Sequence, residues 1–135
     1  MHGNDPRPGT RALTDTAYAS IGMRLELAQH DCCRVAFDIS DASRDLTGTC
    51  SVGAIALAAE SAASTGSGIA CSETRRAFGV ELDLAILHRP RAGRVTATAI
   101  PASSGTDTHV WTIDVTSDDG NRVATGRCLL TIVDA

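Results

Sequence analysis

The chain has 135 residues, 43% hydrophobic and 21% charged, with a formal net charge of −4. That length supplies one hydrophobic core rather than two, and the composition is that of a folded globular chain, not a disordered one. The negative balance argues against a nucleic-acid surface, which needs a basic face, although all 12 basic residues are arginine.

The first ten residues, Met1 to Thr10, are polar and rich in helix breakers, with no apolar signal core. Residues 1–12 therefore read as a disordered tail, residues 13–135 as a single domain, and the setting as cytoplasmic. Five cysteines (Cys32, Cys33, Cys50, Cys71, Cys128) lack C-x-x-C spacing, which fits reduced thiols. The four histidines are scattered and His30 and His109 read as surface residues, so no metal site is expected. A short helix is predicted near Leu13–Ile21. Met23 to Leu27 and Arg34 to Ile39 alternate as half-buried strands do, with His30-Asp31 as the turn between them. Asp41 to Gly48 is polar and loop-like.

Ser51 is a good N-cap for the run that follows. About 14 residues, apolar nearly all round, then predict a helix enclosed by other structure, with Gly66 and Gly68 ending it. Only strands follow. Val80 to His88, Arg94 to Ile100 and the stretch around Trp111, Ile113 and Val115 alternate, Asp118 to Asn121 forms a hairpin turn, and Arg122 to Val133 supplies the last strand. One helix cannot cover both faces of a sheet. The packing that buries it is an antiparallel sheet curled around it.

Glu60 is the only charged residue between Asp45 and Glu73. A carboxylate buried among alanines costs several kcal/mol unless it is paired, hydrogen-bonded or protonated. A desolvated carboxylate is also what acid/base or nucleophilic chemistry uses. No basic residue stands near it in sequence, so a functional role takes precedence over a structural ion pair. Ser64 lies four residues on, on the same helical face; it is as suited to bonding the preceding turn as to assisting Glu60. Cys50 reads as a packed, inert thiol and Asp45 as either a loop cap or a group that orients water.

Three stretches carry a family pattern: Asp45-Leu-Thr-Gly48-Thr-Cys-Ser51-Val52-Gly53, then Leu57-Ala-Ala-Glu60, then Arg89-Pro90 with Gly93 and Asp119-Gly120. With the order of two strands, one helix and four strands, they resemble the hotdog fold. The sequence is similar to acyl-CoA thioesterases of the phenylacetate (PaaI-like) and 4-hydroxybenzoyl-CoA types. The implied architecture is an α+β hotdog domain, a sheet wrapped around one long central helix. The family motif has His-Gly-Gly where this chain has Ser51-Val52-Gly53. The resemblance implies Glu60 as nucleophile or general base on the thioester and the Val52 backbone N–H as oxyanion donor. Ser64 and Asp45 support, and Ser51, Gly53 and His88 are expected to line the thioester site. Apart from the resemblance, Arg75, Arg76, Arg89, Arg91 and Arg94 lie in loops or at strand ends as either a solvated rim or a grip for coenzyme A phosphates, and of these Arg89 and Arg91 are read as substrate-binding. No cofactor is implied beyond coenzyme A as part of the substrate.

Helix geometry adds a constraint. Val52 and Glu60 are eight residues apart, about 12 Å along a helix axis, so one carbonyl cannot touch both on one helix. The donor must come from a second chain, which implies a dimer or tetramer, with neither nucleic acid nor membrane as partner. Two alternatives stand beside this reading. One is an enoyl-thioester hydratase/dehydratase of the same fold, with His88 as its histidine. The other is a non-catalytic acyl-thioester binding protein, for which the altered Ser51-Val52-Gly53 speaks.

Overall fold

The computed structural model describes residues 16–135; the expected tail and the first residues of the expected N-terminal helix lie outside them. What is described of that helix is one turn, α1 (Ala17–Ser20). Strands β1 (Arg24–Gln29) and β2 (Cys32–Asp38) pair antiparallel around the His30-Asp31 turn. A turn of 3-10 helix (Asp41–Ser43) and a tight loop lead into α2 (Val52–Ala70). Four strands follow: β3 (Arg75–Ile86), β4 (Arg94–Ser104), β5 (Thr108–Ser117) and β6 (Arg122–Asp134).

The six strands form one sheet in the order β1-β2-β4-β5-β6-β3, every neighbouring pair antiparallel. Among the described residues the sheet curls around α2 and stays open between β1 and β3, which buries a helix with no polar stripe. Ala54, Ile55, Ala58, Ala59, Ala62 and Ala63 of α2 are buried against Val35, Phe37, Val95, Ala97, Val115 and Leu130 of the strands. Alanine on the helix and branched residues on the sheet let the two backbones approach closely without voids. Trp111 is fully buried; removing about 200 Å² of indole from water contributes roughly 5 kcal/mol as an upper bound.

Two expectations are corrected. The helix does not stop at Gly66 or Gly68: it runs 19 residues to Ala70 and is capped by Cys71, a non-glycine residue with φ −82°. Gly66 serves packing instead, since a Cβ there would overlap the Trp111 ring. β3 starts at Arg75, well before Val80. Its first half hides from an alternation test because a β-bulge lies between Gly79 and Glu81, and because as an edge strand it leaves Phe78 and Val80 exposed. Among the described residues no helix is long and apolar enough to cross a membrane.

Candidate active site

Glu60 stands midway along α2 and points to the seam between β6 and the edge strand β3. There it lines a cleft of about 250 Å³ with Gly79, Val80, Glu81, Leu82 and Cys128. The carboxylate is half-buried, and among the described residues no hydrogen bond or ion pair reaches it. Burial pushes its pKa above the usual carboxylate value, with no compensating cation. Cys128, fully buried on β6, is pushed up to about 12 by desolvation first and by the Glu60 charge second. It is a protonated wall of the cleft, not a nucleophile. The phenol of Tyr18 on α1 is also raised, by burial first and then by Glu60, which places it in the electrostatic reach of the carboxylate.

Ser64, one turn beyond Glu60, is half-buried and shares its face, but its hydroxyl makes no hydrogen bond to the carboxylate. The other expected residues gather at the start of α2, about 12 Å away along the helix axis. Ser51 caps the helix, its Oγ accepting the Ala54 N–H at 3.1 Å. Ile55 N–H donates to the Ser51 carbonyl at 3.2 Å. The N–H groups of Val52 and Gly53 have no intrahelical acceptor, as in any first turn, and both residues are exposed. They form a set of oriented donors at the positive end of the helix dipole.

The loop before the helix is built around Asp45. Its carboxylate accepts from the Thr47 hydroxyl at 2.6 Å, the Thr47 N–H at 2.8 Å and the Thr49 N–H at 3.3 Å, and pairs with Arg89 at 2.5 Å. These bonds, the Thr47 hydroxyl foremost, hold its pKa down to about 2. Arg91 donates to the Thr47 carbonyl at 3.4 Å, and no carboxylate among the described residues pairs with it. Cys50 is buried beneath the loop, its thiol pushed up to about 11 mainly by desolvation. His88 is exposed beyond the end of β3, its N–H bonded to the Val123 carbonyl at 3.2 Å. From Gly79 to the strand end at Ile86 is on the order of 20 Å along β3, so His88 does not face Glu60 within one protomer.

His109 departs from its expected place. It is buried, and its Nδ1 lies 2.8 Å from Ser67 Oγ, which also accepts the Trp111 indole N–H at 2.7 Å. Three residues of the Glu60 neighbourhood were not singled out from the sequence: Gly79, Cys128 and Tyr18. A glycine inside a strand signals a bulge or a close approach, so Gly79 was legible in principle. Nothing local to Cys128 or Tyr18 points to Glu60.

A model of the thioesterase superfamily matches residues 47–124, a stretch that holds both Val52 and Glu60. By sequence, the Pseudomonas aeruginosa thioesterase PA1618 is 30% identical over 115 residues, 84% of this chain and 79% of its own. The crystal structure of a mutant of that protein superposes with a TM-score of 0.86 at 26% identity, covering 90% of this chain and 88% of its own. A mutant of the Staphylococcus aureus thioesterase SAV0944 superposes with a TM-score of 0.83 at 26% identity, over 86% and 97% of the two chains. The Escherichia coli PaaI protein, 18% identical, shares the fold with a TM-score of 0.76 over 90% and 85%. The α+β hotdog architecture is thus the fold of this chain.

Proposed function

This chain belongs to the thioesterase superfamily, and on that premise we propose that it hydrolyses an acyl thioester carried on coenzyme A or an acyl-carrier protein. The observation that carries the reading is Glu60: a half-buried helical carboxylate, unpaired among the described residues, at the floor of a cleft. Ionised, it either removes a proton from water that adds to the thioester carbon or adds to that carbon itself, giving an anhydride that water then opens. In both routes the carbonyl oxygen becomes an oxyanion, the C–S bond breaks, and the thiolate leaves to become a thiol. A raised pKa makes Glu60 the stronger base once ionised.

The oxyanion donor is the Val52 N–H, with the Gly53 N–H beside it, presented by a second copy of the chain. Two features support this. Glu60 faces the β3 edge, which among the described residues has only β6 as a neighbour and exposes Phe78 and Val80. Unpaired strand edges with apolar side chains favour pairing with another chain. A homodimer joined through β3 makes two equivalent sites, and a tetramer would pair such dimers. Asp45 is a positioning residue in this scheme, holding the loop that presents the helix start. Ser64 lies on the Glu60 face to meet the attacking water or the acyl group, and Ser51 keeps the first turn wound. Arg91 is better placed than the Asp45-bound Arg89 to meet a coenzyme A phosphate. No cofactor enters the scheme. Thiol release from a panel of acyl-CoA esters, measured for wild type beside Glu60→Gln, tests it: turnover by wild type and loss in the variant support the reading, and equal turnover contradicts it.

A further inference from the structure

Gly79 is not a glycine for conformational reasons. Its φ is not positive, unlike Gly22, Gly48, Gly93 and Gly120. It lies inside β3, where a glycine loses side-chain packing and weakens the strand. The one thing its missing side chain leaves room for is Glu60: a Cβ at position 79 would sit 2.7 Å from Glu60 Oε1 and 3.3 Å from Cγ. The β-bulge starts at the same residue. Gly79 pairs with Leu130 and Glu81 with Leu129, so Val80 is extra. A bulge bends its strand and re-aims what flanks it. Here Gly79, Val80 and Glu81 are the strand side of the Glu60 cleft.

We propose that Gly79 is a positioning residue for Glu60: the bare backbone at the β3 bulge leaves the room that the carboxylate fills and so sets its place. This rests on the reading of Glu60 as the reacting carboxylate. Any side chain at 79 takes the space the carboxylate occupies. Because the atom met first is the end of a flexible side chain, Glu60 yields rather than the fold. Gly79→Ala therefore displaces the reacting group while leaving the protein folded. Misplacement by about 1 Å is enough to cost on the order of 10²-fold in rate.

The test is a double-mutant cycle on kcat with Gly79→Ala and Glu60→Asp, whose carboxylate is one methylene shorter and loses the 2.7 Å contact with the new Cβ, the severest of the three. The expected result is a loss on the order of 10²-fold for Gly79→Ala with melting temperature and oligomer unchanged. In the Glu60→Asp background the same change costs only about a few-fold. Equal losses in the two backgrounds, or full activity of Gly79→Ala, overturn the proposal. A readout without turnover separates this inference from the catalytic reading: ¹³C titration of the Glu60 carboxyl. A shifted midpoint in Gly79→Ala supports displacement even if Glu60→Gln proves active; an unchanged midpoint overturns it. If Gly79→Ala alone fails to fold, folding of the Gly79→Ala, Glu60→Ala pair supports the contact, and failure of the pair overturns it.

Discussion

The Trp111 indole N–H donates to Ser67 Oγ at 2.7 Å, and that hydroxyl lies 2.8 Å from His109 Nδ1. β5 is thereby tied to the last turns of α2 by a buried network. Ser67 is the hub: the indole can only donate, so the hydroxyl accepts from it and shares its remaining hydrogen-bonding capacity with His109 Nδ1. Ser67→Ala leaves a buried N–H and a ring nitrogen unpaired, which costs about 1–3 kcal/mol for an unsatisfied group. The loss should appear as a lower midpoint in denaturant unfolding, and an unchanged midpoint would show that the network carries no stability.

Gly66 packs directly under the same ring. Gly66→Ala forces a Cβ into the space of the Trp111 six-membered ring, which is itself fully buried. Helix propensity alone would make this change stabilising by about 1 kcal/mol. Overpacking of about 1–3 kcal/mol opposes it. The net expectation is a lower unfolding midpoint; a raised one would show that the core yields there.

Asp45 makes acid sensitivity local. Its carboxyl is held near about 2 in the fold against an ordinary 3.8, chiefly by the Thr47 hydroxyl. A group depressed in this way contributes stability that is present above its unfolded value and lost as pH falls through its folded one. The stability difference between wild type and Asp45→Asn should therefore be full at neutral pH and disappear between pH 3.8 and about 2. Thermal melts across that range check it. A difference that persists at the acid end would mean that the contacts, not the charge, hold the loop.

Glu60 has the opposite sign. Burial raises its pKa above the ordinary 4.5, so the folded chain holds this proton more tightly than the unfolded chain does. That contribution is complete below 4.5 and declines as pH rises through the higher folded value. Glu60→Gln carries no ionisation, so its stability relative to wild type should increase as pH rises above 4.5 and through the higher folded value. Melts of the two proteins across this range measure it; a flat difference would show that no ionisation cost exists. A variant that gains stability at neutral pH while losing turnover is what a strained reacting group predicts.

What was legible in the chain follows from which signals are local. Alternation marks β2, β4 and β5, the turn at Asp118–Asn121 marks the start of β6, and the unbroken apolar run marks α2, because burial and turn chemistry are both local signals. Glu60 stood out for the same reason: one charge in a dry segment. The start of β3 was hidden because an edge strand with a bulge buries too little to keep a period. The helix end was misread because Gly66 looks like a terminator and is a packing device, a distinction that needs Trp111 from 45 residues away. His109 looked exposed because its partner, Ser67, lies across the core. The walls of the cleft, Gly79 and Cys128, meet Glu60 only once β3 has crossed to the sheet edge.

Val52 occupies the first helical position after the cap, and that position tolerates proline, whose only loss there is the N–H. Ser51, with φ −70° and ψ 146°, already has the backbone a residue before proline needs. Val52→Pro should keep the fold and reduce kcat by about 10²–10³, the usual cost of one oxyanion donor. Wild-type turnover in a folded Val52→Pro protein would remove that N–H from the mechanism.

The most direct measurement joins the two halves of the site. Glu60→Gln and Val52→Pro chains are co-expressed with different tags, and the heterodimer is purified through both. If Glu60 of one subunit works with the Val52 N–H of the other, one of the two sites in the heterodimer is intact, and thiol release should return to roughly half that of wild type. A heterodimer as inactive as either parent would contradict the shared site.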